Sequence, residues 1–127
     1  MTKTIVSTDR APAAVGPYSQ GVVHDGWLFT AGQVALDPET GELVGADAAT
    51  QADRALQNIA AILEAAGSSF HRVVRATVYL KSMDDFAAVN EVYARYFADP
   101  YPARACVEVS RLPVGALVEI DVIAKTG

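Results

Sequence analysis

Apolar residues recur at helical spacing in two stretches of the chain. The first stretch follows Asp47 and runs to Gly67. Its apolar positions, three or four residues apart, are Ala52, Ala55, Leu56, Ile59, Ile62, Leu63 and Ala66. Such spacing predicts one long helix with a single buried face, with Asp47 as its N-cap and Gly67 as the glycine that ends it.

A second amphipathic segment lies between Ser82 and Pro100. Ser82 is expected to cap it, and the two aspartates that follow Met83 favour the positive end of a helix dipole. Its predicted apolar face consists of Phe86, Val89, Tyr93, Tyr96 and Phe97. The pair Asp99–Pro100 is expected to end the segment, because proline cannot continue a helix.

Further segments have the β-branched or alternating composition of strands. They cover residues 4–8, 20–24, 27–31, 73–80, 103–109 and 117–124. Asp25 and Gly26 separate the second segment from the third and are typical of a tight hairpin turn. The resulting order of three strands, helix, strand, helix and two strands predicts an α+β fold with both helices on one face of a sheet. No third helix is available to cover the other face.

The composition makes that uncovered face more significant. The chain has 127 residues and a mass of 13.4 kDa, which predicts one domain over residues 1–127. Hydrophobic residues make up 51% of the chain, or about 54% with glycine included and tyrosine left out, against an average of about 45–50%. A domain of this size has much surface for its volume, so this apolar content is difficult to bury within one copy.

Charge and cysteine content disfavour several classes of protein. The net charge is −5 and the basic residues form no run, so no nucleic-acid partner is expected. The longest apolar run, Ile59–Leu63, is too short to cross a bilayer, and the N-terminus lacks the apolar stretch of a signal peptide. The single cysteine forms no internal disulfide. These features predict a soluble, cytoplasmic protein with no membrane partner.

Arg104 is the most informative candidate for chemistry. It lies near the start of the fifth predicted strand, where alternation places it on one face with Cys106 and Glu108. An arginine in such a strand rarely stays unpaired. Either it forms a structural ion pair with Glu108, Glu119 or Asp121, or its planar guanidinium binds the carboxylate of a ligand through two hydrogen bonds.

Glu119 and Cys106 are weaker candidates. Glu119 alternates with Asp121 in the last strand, which is typical of a solvent-exposed face; on a covered face it would pair with Arg104 or a catalytic water. A nucleophilic Cys106 would need a base and a stabilised thiolate. Neither of the two histidines lies in a catalytic or metal-binding context. We therefore expect no metal site, and we interpret Cys106 as a small core residue.

Other positions are candidates for contacts with a ligand. Tyr18 follows Gly16–Pro17 and either presents its hydroxyl to a ligand or packs at the start of a strand. Asn90 lies beside the apolar face of the second helix, where it bonds a neighbouring loop or orders a loop at a ligand site. Gly32, after Ala31 at the end of a strand, allows a ligand or another backbone to approach closely.

Several segments together resemble the Rid family (reactive intermediate deaminases, YjgF-like), with the RidA branch nearest. These segments are Ala13–Gln20, Thr30–Gln33, Asp85–Asn90, Pro102–Val109 and Val118–Ile120. They occur in the order of the family and cover nearly the whole chain. The run Pro-Ala-Arg-Ala-Cys-Val-Glu, followed by Leu-Pro and a strand that contains Glu119, is a specific signature.

The resemblance implies a chorismate-mutase-like fold with a mixed sheet, and a homotrimer with clefts between its subunits. It implies hydrolysis of 2-imino acids, such as 2-iminobutanoate and 2-iminopropanoate, to 2-oxo acids and ammonia, with no cofactor. By resemblance, Arg104 grips the substrate carboxylate and Glu119 works with the attacking water. The residues expected to line the site are Tyr18, Ala31, Gly32, Asn90, Arg104 and Cys106. A trimer would also cover the open face of the sheet.

One residue departs from the family pattern. Many RidA-like proteins have serine where this chain has Ala31, so a hydroxyl that could bond a ligand or a water is absent. Two alternative functions stay open: a non-catalytic trimer that binds small carboxylates in the same cleft, and an endoribonuclease. The acidic charge disfavours the endoribonuclease.

Overall fold

One six-stranded sheet carries the fold of residues 2–127, the part of the chain that the computed structural model describes. Its strands are β1 (Thr4–Val6), β2 (Gly21–His24), β3 (Trp27–Thr30), β4 (Val73–Leu80), β5 (Ala103–Glu108) and β6 (Val118–Lys125). Across the sheet they lie in the order β1-β2-β3-β6-β4-β5. The sheet is mixed, because β4 and β5 are parallel and the other neighbours are antiparallel. Each predicted strand is present, and every observed end lies within two residues of its predicted position.

Two helices, α1 (Ala48–Ala65) and α2 (Phe86–Tyr93), pack against each other and share one core with the sheet. The predicted α+β class is therefore confirmed. The apolar stripes of both helices and one face of the sheet are buried against each other, so both helices lie on the same side of the sheet. Within residues 2–127, neither helix is long and apolar enough to span a membrane.

Local signals set the ends of α1 as predicted. The Asp47 carboxylate accepts a hydrogen bond of 2.7 Å from the Thr50 N–H. Gly67 adopts a φ of +74°, which a residue with a Cβ rarely tolerates. Its N–H and that of Ser68 donate to the carbonyls of Glu64 and Leu63, as in a Schellman motif. These contacts satisfy backbone groups that the helix itself leaves unpaired.

The second helix is shorter than predicted. Ser82 caps a 3₁₀ turn, accepting from the Asp84 N–H at 3.2 Å, and α2 begins only after that turn. At its other end the hydrogen bonds shorten to three-residue steps, so Tyr96 and Phe97 lie beyond the helix. Phe97 is nevertheless buried and stacks on Tyr93 at 4.2 Å between ring centroids. Tyr96 and Phe97 have helical spacing in the sequence, but Phe97 is buried by aromatic stacking in the turn that follows the helix.

The two faces of the sheet differ sharply in burial. On the helix side, the alternate residues of β4 and β6 are almost fully buried: Ala76, Val78, Leu80, Val118, Ile120 and Val122. On the other side, Ile5 is 52% exposed, Phe29 46% and Val107 41%. We call this second side the open face. It presents apolar side chains that nothing within residues 2–127 covers.

A buried amide that the sequence analysis missed connects α1 to a loop. The Asn58 side chain is fully buried, and its Nδ2 donates to the carbonyls of Val34 at 3.2 Å and Leu36 at 3.0 Å. Its Oδ1 accepts two hydrogen bonds from the Arg54 guanidinium. Asn58 thus holds the segment that follows Gly32 against the helix.

Replacing this amide tests its contribution. We expect Asn58→Leu, which keeps the volume but removes the donor, to lower the free energy of unfolding by about 2–4 kcal/mol, because two carbonyls lose their partner. Urea denaturation measures the change. The control Gln57→Leu alters an exposed residue of the same helix and should stay within about 0.5 kcal/mol of the original protein. Equal stability of the two variants would contradict the role given to Asn58.

Candidate functional site

Arg104 lies on β5 with its side chain toward the helices. Its Nη1 donates to the Asn90 Oδ1 at 2.6 Å. The guanidinium carbon lies 4.7 Å from the ring centroid of Tyr93 and 5.6 Å from that of Phe86. Among residues 2–127 no carboxylate forms an ion pair with Arg104. The side chain is therefore oriented by a neutral amide and two aromatic faces, and its charge stays available for an anion.

The structural ion pairs considered for Arg104 are not formed. Glu108 shares its face but accepts instead from the Met83 N–H at 2.8 Å, which holds the turn before α2. Glu119 and Asp121 lie on the open face, as the strand register requires. Within one chain, therefore, none of the three carboxylates neutralises Arg104.

A cleft of about 430 Å³ opens beside Arg104. It is lined by Asn90, Tyr93, Ala94, Tyr101, Pro102 and Arg104. Walls of mixed polarity, with one guanidinium and two tyrosine rings, suit a small organic anion, whose carboxylate would meet the arginine fork while its carbon chain meets the rings. Phe86, Asn90 and Tyr93 reach Arg104 together because they lie four and three residues apart on α2. That spacing was readable in the sequence, but Tyr101 gave no comparable signal.

Cys106 lies on the same face as Arg104 and is half-buried. Burial raises the pKa of its thiol, and the nearby Arg104 charge opposes that rise only in part. A thiol in this state is a poor nucleophile. Cys106 packs against the hydrophobic core, as a small partly buried residue does.

Glu119 lies on the opposite face of the sheet from Arg104. Arg104 pairs with Ala76 of β4, which in turn pairs with Val122 on the helix side of β6. Glu119 is displaced from Val122 by an odd number of residues, so its side chain points to the open face. The alternative in which Arg104 pairs with Glu119 is therefore not realised within one chain.

The Glu119 carboxyl is half-buried and approaches the backbone of Gly32. A Cβ placed on Gly32 would lie 2.5 Å from the Glu119 Oε2, so a side chain at this position would require the Glu119 carboxyl to move. Burial raises the pKa of the Glu119 carboxyl, and the neighbouring Asp121 raises it further. The glycine was expected to permit a close approach, and the approaching group is Glu119 itself.

Backbone hydrogen bonds hold the Ala31–Gln33 loop beside Glu119. The Ala31 N–H donates to the carbonyl of Gln20, and Gln33 exchanges two backbone hydrogen bonds with Ile120. Within residues 2–127, the Tyr18 side chain forms no hydrogen bond with the Ala31–Gln33 loop, Glu119 or Arg104. It is 53% exposed and lines a separate depression near β1. The predicted residues therefore form two clusters and one outlier within the chain.

A larger depression of about 840 Å³ lies beside α1, away from all these residues. Two arginines line it, but Arg10 is paired with Glu64 and Arg54 is bonded to Asn58. We regard the smaller cleft as the better candidate, because Asn58 occupies two nitrogens of the Arg54 guanidinium, whereas Asn90 occupies only one nitrogen of Arg104. Within residues 2–127, no group of three or more His, Cys, Asp and Glu side chains is placed to hold a metal.

Comparisons with known proteins identify the family of the chain. The sequence profile of the family described as Endoribonuclease L-PSP matches residues 8–126. A RutC family protein of Pyrococcus horikoshii is 53% identical over 122 residues, which cover 96% of this chain and 97% of that protein. The 2-iminobutanoate/2-iminopropanoate deaminase of Bos taurus is 48% identical over 127 residues, covering 100% of this chain and 93% of that protein.

Solved structures of similar proteins superpose over nearly the whole chain. The Rid family protein YyfA of Yersinia pestis matches with a TM-score of 0.96 and 43% identity, covering 98% of this chain and 100% of that one. TdcF of E. coli, crystallised with bound serine, matches with a TM-score of 0.91 and 42% identity, covering 98% and 99%.

The contact between Gly32 and Glu119 yields a test. We expect Gly32→Ala to lower the free energy of unfolding by about 1–3 kcal/mol, because the new methyl overlaps the carboxylate. The double variant Gly32→Ala/Glu119→Ala should recover most of that loss, which a double-mutant cycle in urea measures. Gly16→Ala is the control, since its Cβ would meet only the Tyr18 ring at 3.4 Å. A Gly32→Ala effect that persists without Glu119 would show another cause.

Proposed function

The chain belongs to the YjgF/Rid (Endoribonuclease L-PSP) family, and we propose that it is an enamine/imine deaminase. Its substrates are 2-imino acids, such as 2-iminobutanoate and 2-iminopropanoate, which it hydrolyses to 2-oxo acids and ammonia. The deaminase name of mammalian relatives at 48% identity supports this activity. We place it in the cytoplasm.

The oriented, ion-pair-free Arg104 is the observation that carries the proposal. A 2-imino acid has a carboxylate next to its reacting carbon, so an arginine that binds the carboxylate also fixes the position of that carbon. Asn90 holds one guanidinium nitrogen and Tyr93 supports its face, which reduces the freedom that binding would otherwise have to remove. Cys106 lies on the same face of β5, two residues beyond Arg104.

The second cluster would come from another subunit. Glu119 faces away from Arg104 within a chain, and the open face exposes apolar residues that include Ile5, Phe29 and Val107. A homotrimer would cover that face and bring Glu119, Gly32 and their neighbours against Arg104 of the adjacent subunit. Tyr18 and Ala31 would complete the lining. The apolar excess of the sequence is then buried between subunits.

The proposed chemistry needs modest assistance, because a protonated imine is already electrophilic and requires no cofactor. Glu119 accepts a proton as water adds to the imine carbon, which gives a tetrahedral amino alcohol. The same carboxyl returns that proton to nitrogen and accepts the hydroxyl proton as the carbon–nitrogen bond breaks and the carbonyl forms. Ammonia takes up this last proton and leaves as ammonium, which restores the Glu119 carboxylate and releases the 2-oxo acid. A carboxyl whose pKa is raised suits these transfers better than an ordinary one. The Ala31 methyl contributes no hydrogen bond to either step.

Arg104 variants test the activity. A pyridoxal-phosphate dehydratase supplies the imine, and semicarbazide competes with the protein for it. We expect Arg104→Ala to lower kcat/KM at least about 100-fold, because two charge-assisted hydrogen bonds of about 1.5–3 kcal/mol each are lost. Arg95→Ala removes an exposed arginine outside the cleft and should be unchanged. Imine hydrolysis no faster than in buffer, or full activity of Arg104→Ala, would refute the proposal.

Mixed trimers test the division of the site between subunits. Arg104→Ala and Glu119→Gln, unfolded together and refolded at equal amounts, should recover about a quarter of the wild-type activity, because each mixed trimer contains one intact site. Arg104→Ala mixed with Asn90→Ala is the control. Both residues come from the same subunit, so this pair should show only the average of its parents. Equal behaviour of the two mixtures would exclude a shared site.

The same materials separate the alternative functions. Binding of 2-oxobutanoate that depends on Arg104, without imine hydrolysis, would identify a non-catalytic binding protein; the serine bound to TdcF makes a small ligand in this fold reasonable. The name of the family profile raises endoribonuclease activity, which the net charge of −5 disfavours. RNA cleavage that copurifies with the protein and depends on its site residues would support it.

A further inference from the structure

Two carboxyls project from β6 onto the open face, and only one of them has a hydrogen-bond donor. Tyr79 of β4 stands opposite Glu119 in the strand register. Its hydroxyl nevertheless reaches the other carboxyl, donating to the Asp121 Oδ2 at 3.0 Å. Within residues 2–127, no side chain donates to Glu119, whose carboxyl lies against Gly32.

The charged neighbours of the two carboxyls also favour ionisation of Asp121 over ionisation of Glu119 within one chain. From β4, Tyr79 and Arg75 face them, and the positive charge of Arg75 lowers the pKa of Asp121. The only charged neighbour of Glu119 on its own strand is Asp121. The facing residues of β5 are the uncharged Ala105 and Val107. The loop contributes Ala31, Gly32 and Gln33, which are also uncharged. In the proposed trimer, the Arg104 guanidinium of the adjacent subunit is the one positive charge that would face Glu119, and a bound substrate carboxylate would offset it.

We propose that Tyr79 decides the order in which this pair ionises: its hydroxyl holds Asp121 as the carboxylate, and Glu119 is the carboxyl that takes up and releases a proton. Assigning that proton to catalysis rests on the deaminase function proposed above. The assignment of charges itself rests only on the hydrogen bond, the register and the burial of the two groups. Tyr79 and Asp121 are thus positioning residues that act through Glu119.

One hydrogen-bond donor is sufficient to decide which of the two carboxyls ionises first, and the reason is electrostatic. Both carboxyls are half-buried, and burial raises the pKa of each. Residues two apart on one face of a strand lie about 7 Å from each other, so the first carboxylate to form discourages the second. A hydrogen bond to the charged form favours ionisation, and Tyr79 lowers the pKa of Asp121 in this way. The Asp121 charge then raises the pKa of Glu119.

Two neighbouring carboxyls with different pKa values often divide the roles of acid–base catalysis between them. Environments that separate two neighbouring carboxyls leave one as a fixed charge and the other as the group that exchanges its proton. Glu119 is the one beside the Ala31–Gln33 loop and, in the proposed trimer, beside the imine. Asp121 would remain a carboxylate throughout and would not exchange protons with the substrate.

Carboxyl ¹³C NMR of the assembled, uniformly labelled protein tests the assignment directly. In the original protein, Asp121 should ionise at a lower pH than Glu119. Asp121→Asn should shift the Glu119 midpoint down by about 0.5–1 pH unit, the effect of removing one charge at about 7 Å. Tyr79→Phe should raise the Asp121 midpoint and narrow the gap between the two.

A matched control removes the same kind of bond elsewhere. The Tyr96 hydroxyl donates to Asp53 on the helix side of the molecule, so Tyr96→Phe should leave both midpoints in place. Glu119 ionising before Asp121 in the original protein, or a Tyr79→Phe titration that matches the Tyr96→Phe titration, would overturn the proposal. The readout needs no enzyme activity, so an inactive protein with the expected titration would refute the deaminase function alone.

Kinetics tests the catalytic consequence in an active protein. The acidic limb of the kcat/KM profile should follow the Glu119 midpoint, since the carboxylate form accepts the proton of water. Asp121→Asn removes a cause of the raised pKa, so the limb should move to lower pH by the same 0.5–1 unit seen by NMR, roughly one charge removed. If the Glu119 midpoint shifts in Asp121→Asn but the acidic limb of kcat/KM does not move, the proton that Glu119 exchanges is not the catalytic one.

Discussion

Side-chain alternation along β5, β4 and β6 is the constraint on which the rest of the arrangement depends. Hydrogen-bonded neighbours in these strands point to the same face, so each pairing decides the side on which a functional group lies. Arg104 shares the helix side with Ala76, and Glu119 shares the open face with Tyr79. A slip of one residue in either pairing would exchange the faces. The register of β4 is therefore a condition for the site as well as for the core.

Each of the two charged clusters is held in place without being neutralised by its own chain. Arg104 is oriented by an amide and aromatic rings, whereas a carboxylate at the same distance would occupy its fork. Glu119 is partly desolvated and lies near a like charge. Both environments sacrifice stability that a structural ion pair would provide, as is common at functional sites. Their separation on two faces is the physical reason for proposing that a second copy completes the site.

Local chemistry made much of the fold predictable. Asp47 and Gly67 act on backbone groups within a few residues of themselves, so their roles could be read from the chain. The buried stripe of α1 likewise follows from helical spacing alone. The end of α2 could not be predicted in this way, because Phe97 is buried by packing against Tyr93 and Phe70 rather than by helix geometry. The role of Asn58 was missed because the two carbonyls that accept its hydrogen bonds lie more than 20 residues away in the sequence.

The sequence by itself determined the local elements, the α+β class and the identity of the candidate residues, since these depend on spacing and residue type. It also carried the family resemblance that the comparisons confirmed. Only the tertiary structure decided that Arg104 and Glu119 face opposite ways, and that the Tyr79 hydroxyl bonds Asp121 rather than its register neighbour. Those relations follow from the pairing of β4 with β5 and β6. Such pairings join residues distant in the chain, and no local pattern contains their register.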